Sequence, residues 1–202
     1  NYLRKLGDHI GVYDSRDNTL LHEPPPADQI LGRIDALCRF ANETPTDVFL
    51  HPVLKAIILH FWLAYDHPFT DGNGRTARAL FYWSVLRQKF WLFEFISVSN
   101  ILRKAPVKYA RAFLYTETDE NDLTYFILAQ LQVIRRAIGE LYAYVERKQK
   151  EAFRKAITRY FSPDMAAEIL RDPDDYYKAL SGVNRTITIL FSDVRGFTSM
   201  SE

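Results

Sequence analysis

The sequence predicts a mainly α-helical protein, a helical bundle with a small β-hairpin, followed by a long helix and an isolated strand. Three observations carry this. Apolar residues recur at helical spacing in four stretches between Ile30 and Phe161. Ahead of them, only "HIGVYDSRDNTLLH" (9–22) alternates around a polar centre, as a hairpin does. Near the carboxyl end, "TITILFSD" (186–193) reads as a buried strand.

Taken in order, the hairpin pattern is stopped by "EPPP" (23–26), and Ile30, Leu31, Ile34, Leu37, Cys38 and Ala41 then mark a first helix, with Asp28 placed to cap it. A second helix is expected from Pro52 to Tyr65. Its apolar residues go almost all the way round, which suits the centre of a bundle. "RTARALFYWSVLRQ" (75–88) gives a third. From Asp122 the positions Ile127, Leu131, Ile134, Ile138, Leu141 and Val145 keep a four-three rhythm, and helical propensity runs on to about residue 161. The apolar stripe lapses at "ERKQKE" (146–151), the best candidate for a domain boundary.

Composition limits the function classes. The 26 basic and 25 acidic residues leave a formal charge of +1, too little to gather nucleic acid or an acidic membrane, so a polyanion must be caught locally. That favours a small phosphate ligand. The lone cysteine, Cys38, excludes an internal disulfide and suits a cytoplasmic setting. The longest apolar run, "AIILHFWLAY" (56–65), is about half the ~20 residues a membrane span needs. The chain opens without methionine and closes just after a strong strand, so it reads as a segment of a longer one.

The chemistry concentrates in "HPFTDGNGRTAR" (67–78). Two glycines flanking Asn73 allow successive backbone N–H groups to line one concavity, and the next helix adds its free N–H groups and positive dipole end. An anion fits there. Arg75 and Arg78 share a helix face and can fork onto phosphate oxygens. Asp71 at the rim would repel phosphate unless a divalent cation lay between them, and an oxygen ligand beside phosphates suits Mg²⁺. Within the loop, only His67 can take a proton near neutral pH. Each residue alone has an ordinary structural explanation: a histidine ending a helix is commonly a cap, "DGNG" a turn, and arginines opening a helix are often only solvated. It is the ordered set that points to a Mg²⁺-nucleotide. An EF-hand is excluded, because aligning Asn73-Gly74 with its fifth and sixth positions puts Phe69 first and Leu80 twelfth, where acids are required.

The stretch resembles the signature of the Fic (Fido) family: histidine-x-phenylalanine-x-acid-Gly-Asn-Gly-Arg-x-x-Arg, with every fixed position present. The resemblance covers about residues 1–148 and implies a Fic-type helical bundle with a flap hairpin, its amino end incomplete. It further implies transfer of AMP from ATP to a Tyr, Thr or Ser hydroxyl of a target protein docked at the flap (about 9–22). His67 would be the base. Asp71 would hold Mg²⁺, Gly72, Asn73 and Gly74 would cradle phosphates, and Arg75 and Arg78 would bind the outer ones. Phe69 would anchor the loop in the core. Gly72 favours AMP over phosphate transfer, since phosphorylating relatives carry other residues there. "TETDEN" (116–121) matches the letters of the family's inhibitory motif, but its acidic, loop-like setting argues against that role. A homodimer is compatible with the resemblance.

"TITILFSDVRGFTSMSE" (186–202) is similar to the opening of class III nucleotidyl cyclase domains, and "RYFSPDMAAEIL" (159–170) to the segment that leads into them. Asp193 would be a metal-binding carboxylate of an incomplete cyclase site, with 149–185 a helical linker. Two rival readings follow: a nucleotide-binding regulatory module without turnover, and the regulatory part of a class III adenylate cyclase.

Overall fold

The computed structural model describes residues 2–8, 10–13, 18–43 and 49–172. The expected strand at 186–193, Asp193, and residues 9 and 14–17 of the hairpin lie outside the described residues. The chain divides into two compact units, 1–145 and 146–202.

In the first unit, β1 (Val12–Tyr13) pairs antiparallel with β2 (Leu20–His22), the hairpin expected around a polar centre. A short 3-10 turn, Ala27–Gln29, leads into α1 (Ile30–Asn42). Asp28 lies inside this turn and no side chain caps α1, which corrects the expected cap. The proline run sets the chain direction there instead, since Pro26 accepts the Gln29 N–H at its carbonyl.

α2 (Pro52–Asp66) is the central helix. Pro52 occupies its first turn, where a missing N–H costs nothing, and the His51 ring accepts the Val53 N–H. Its two apolar faces have different neighbours. Leu59 and Leu63 pack with Leu37 of α1 and Ala77 of α3 (Asn73–Arg87). Ile57 and Phe61 join the main core with Phe81, Val85, Phe93 and Phe126. This explains a helix apolar almost all round.

After a 3-10 turn at Trp91–Glu94 come α4 (Val98–Lys104) and α5 (Pro106–Thr118), two helices that the apolar pattern did not announce. Pro106 separates them and opens α5. "TETDEN" is thus split: residues 116–118 end α5, while Glu120 and Asn121 follow in a turn with positive φ. α6 (Thr124–Tyr160) matches the expected long helix closely. The ring centroid of Phe126 of α6 lies 4.6 Å from that of Phe113 of α5 in a tilted contact and 5.1 Å from that of Phe61 of α2 edge to face, tying three helices together.

The second unit contains the remainder of α6 and α7 (Pro163–Arg171). There α6 is a solvated rod with ion pairs Glu146–Lys150 and Lys148–Glu151, exposed contacts that solvent screens. Among the described residues no helix is long and apolar enough to cross a membrane.

Candidate functional site

The site grows from the way α2 ends. A helix leaves its last four carbonyls without intrahelical partners, and burial makes each of them costly unless a donor is supplied. Here seven consecutive carbonyls, from Leu63 to Phe69, are all satisfied. Leu63 accepts the His67 N–H (3.1 Å), Ala64 accepts from His67 Nδ1 (2.8 Å), and Tyr65 accepts from His22 Nε2 (2.7 Å). Asp66 and His67 accept from Arg4 Nη2 (3.1 Å) and Nε (2.9 Å), and Pro68 accepts the Arg4 N–H (3.0 Å). Phe69 accepts from Asn73 Nδ2 (2.8 Å).

This pattern fixes His67. Its backbone is left-handed (φ 45°), a conformation unusual for a residue with a side chain, and its ring bonds back to the preceding turn. A carbonyl can only accept, so Nδ1 carries the proton and Nε2 presents its lone pair. Burial lowers the His67 pKa; the bond to Ala64 opposes this, and the positive charges of His22 and Arg4 add to the lowering. The imidazole is therefore neutral at neutral pH, the state a proton acceptor needs.

Asn73, the first residue of α3, is buried, and its amide makes a two-point contact with the Phe69 backbone, accepting the Phe69 N–H (2.9 Å) as well as donating to its carbonyl. Its side chain is thus a loop clasp, and only its backbone N–H can face an anion. The expected apolar anchor is also shifted: Pro68 is fully buried whereas Phe69 is half-exposed, held through its backbone and paired with Leu3. Residues 2–4 run antiparallel to 68–70, with the Thr70 N–H bonded to the Tyr2 carbonyl at 3.1 Å. Sequence reasoning missed this support.

Gly72 takes φ 87°, and the first-turn N–H groups of Asn73, Gly74 and Arg75 have no intrahelical acceptor. A Cβ at Gly74 would lie 3.2 Å from Arg78 Nη1, so the absence of a side chain lets the guanidinium lie over the helix start. Arg78 is half-buried and, among the described residues, has no hydrogen-bond or ion-pair partner. Such a charge is set up for an anion. Arg75 differs: it is exposed and pairs with Asp71 at 2.8 Å, while the other Asp71 oxygen accepts the Gly72 N–H. Among the described residues no cluster of three or more His, Cys, Asp or Glu side chains forms a metal cage. One exposed carboxylate fits Mg²⁺ of the kind completed by phosphate oxygens and water.

Residues 2–85 match the Fic/DOC family. Over 69 residues the chain is 38% identical to the protein adenylyltransferase Fic of Nematostella vectensis, a match covering 34% of this chain and 16% of that protein. It is 36% identical over 67 residues to the protein adenylyltransferase fic-1 of Caenorhabditis briggsae, covering 33% and 13%. A crystal structure of a Fic family protein from Desulfovibrio desulfuricans G20 superposes with a TM-score of 0.56 at 28% identity, over 71% of this chain and 43% of that one. The chain thus spans a small part of the length of the relatives it matches.

Three supports of the loop were not evident from the sequence: Arg4, His22 and, through His22, Glu117. His22, at the end of β2, is buried, with Nδ1 2.9 Å from Glu117 Oε2 on α5 and its ring centroid 6.3 Å from that of His67. Burial alone would lower its pKa, but the bonds to Glu117 and the Tyr65 carbonyl outweigh that and raise it. The proline run after "LLH" and the glutamate of "TETDEN" were the available signals, and neither indicated the other. Below the loop, Asp66 is buried against Arg33 (2.7 Å), which joins α1 to α2. An apolar groove of about 370 Å³ behind the loop is lined by Leu37, Cys38, Leu63, Pro68, Phe69 and Trp83, and its chemistry does not suit phosphate.

Proposed function

We propose that the chain transfers AMP from ATP to a hydroxyl of a target protein. The observation that carries this is the neutral, tautomer-fixed His67 followed in the same loop by the α3 start, with its free N–H groups, and by Arg78, which has no hydrogen-bond or ion-pair partner among the described residues. His67 Nε2 takes the proton of the attacking hydroxyl, whose oxygen forms a bond to the α-phosphorus. The α–β anhydride bond breaks, and pyrophosphate leaves. The backbone N–H groups at 73–75 and the Arg78 fork hold the phosphates, with Arg75 able to join them because its exposed pair with Asp71 is weak. Asp71 would hold Mg²⁺, which when bound neutralises charge developing on the phosphates. The hairpin at β1 and β2 is the docking place for the target.

The names of the relatives support this reading, as does Gly72, whose φ of 87° suits glycine. The exposed, free Cys38 accords with a reducing, cytoplasmic setting. The carboxyl-terminal resemblance, including Asp193 as a metal ligand, extends the proposal to a regulatory neighbour of a class III cyclase. Sequence beyond Glu202 tests that extension through a second metal carboxylate. "TETDEN" is not assigned an inhibitory role, because Glu120 sits exposed in a turn.

The test is incubation with Mg²⁺ and ATP labelled at the α or the γ phosphate, beside His67→Ala. Label from the α position should appear on protein and fall 10²- to 10⁴-fold, roughly, in the variant. Label from γ alone would replace the proposal with phosphorylation, and ATP binding without transfer would replace it with a silent nucleotide-binding module.

A further inference from the structure

We propose that His22 is a positioning residue for His67, clamping the base of the hairpin to the last turn of α2 through its bonds to the Tyr65 carbonyl and Glu117. The inference rests on His67 being the proton acceptor. Both ring nitrogens of His22 face groups that accept: a backbone carbonyl at 2.7 Å and a carboxylate at 2.9 Å. A neutral imidazole has one N–H, so satisfying both requires a proton shared between His22 and Glu117. The pair is largely withdrawn from solvent, with His22 8% and Glu117 18% exposed, which holds that proton in place.

Two consequences reach His67. The Tyr65 carbonyl directly follows the Leu63 and Ala64 carbonyls that bond His67 to α2, so the His22 bond stiffens the turn that places the imidazole. The positive charge near the His67 ring also disfavours a second proton there. The titratable and charged groups around His22 are Glu117 from α5, Arg4 from the amino-terminal segment and the neutral His67 from the loop, with Asp66 acting on Arg4 from α2. Glu117 opposes Arg4, and the pair is balanced by the shared proton. The clamp joins three elements separated by 43 and 95 residues in sequence, so it couples the position of the hairpin to that of the loop.

The experiment compares the full chain with His22→Gln and Glu117→Gln. The His67 pKa is read from its ring carbon-bound proton by NMR, and the rate of AMP incorporation into the chain itself from α-labelled Mg²⁺-ATP. Glutamine at 22 can still donate to the Tyr65 carbonyl but carries no charge; Glu117→Gln keeps the ring and removes its anionic partner. In His22→Gln the His67 pKa should rise by roughly half to one pH unit, and in Glu117→Gln it should rise in the same direction because His22, without its carboxylate partner, gives up its proton. The rate should fall about 10- to 100-fold, with KM for ATP changed less than about twofold. An unchanged His67 pKa in two folded variants overturns the proposal, as does a rate loss that appears wholly in KM. The titration needs no turnover, so absence of AMP transfer by the parent chain would remove the functional reading while the NMR result still decides the role of His22.

Discussion

Asn73 holds Phe69 by both faces of one amide, accepting its N–H at 2.9 Å and donating to its carbonyl at 2.8 Å. Aspartate at this position would keep the acceptor but turn a second oxygen toward the Phe69 carbonyl. Asn73→Asp should destabilise the protein by about 2 to 3 kcal/mol, seen as a lower urea midpoint. Amide exchange at Phe69 should accelerate along with it.

The two glycines of the loop make separable predictions. Gly72→Ala meets a φ of 87° and should lose about 1 to 2 kcal/mol in thermal or urea unfolding. Gly74→Ala should be neutral or gain up to about 1 kcal/mol, since alanine is the better helix former. Its methyl would stand 3.2 Å from Arg78 Nη1, so calorimetry should nevertheless show weaker ATP binding.

Among the described residues Arg78 has no hydrogen-bond or ion-pair partner to lose. Arg78→Ala should change the stability of the ligand-free protein by less than about 0.5 kcal/mol. The parent should gain about 2.7 kcal/mol at ATP one hundredfold above its Kd, and the variant should show little of this at the same concentration. Equal ATP protection in both would remove Arg78 from the phosphate site.

His60 is buried among Phe81, Tyr109 and Phe126, and burial pushes its pKa down to about 3, with Arg78 adding to the effect. The folded pKa is below the unfolded one, so as pH falls below about 6.5 the unfolded chain binds a proton that the native state refuses. Stability should drop by up to about 1.4 kcal/mol per pH unit between there and about pH 3. His67 contributes with the same sign. His22, whose pKa is raised, has the opposite sign: its contribution is present at low pH and lost as pH rises through its folded pKa. Urea titrations at pH 7, 6 and 5 should show the decline, and His60→Gln should flatten it.

Local periodicity made much of the fold legible. α2 declared itself by being apolar on both faces, and α6 by its four-three rhythm, with observed limits within two residues of those expected. α4 and α5 stayed unassigned because a proline interrupts them and α4 is only seven residues long, too short for a periodic signal. The loop residues stood together in the sequence and stand together in space. Their supports did not: Arg4, and Glu117 by way of His22, act on the end of α2 from distant parts of the first unit, and a buried charge that answers a backbone carbonyl leaves no periodic trace.

The unbroken series of carbonyl partners from Leu63 to Phe69 bears on protein engineering. Moving residues 67–78 onto another pair of helices would transplant the letters without the donors of Arg4 and His22, leaving orphaned the carbonyls of His67 and Pro68 and those of the two host residues standing in for Tyr65 and Asp66. A graft with a chance of keeping the histidine in its left-handed seat must import those two distant side chains as well. The smallest portable module is a set of places in space, and no contiguous peptide contains it.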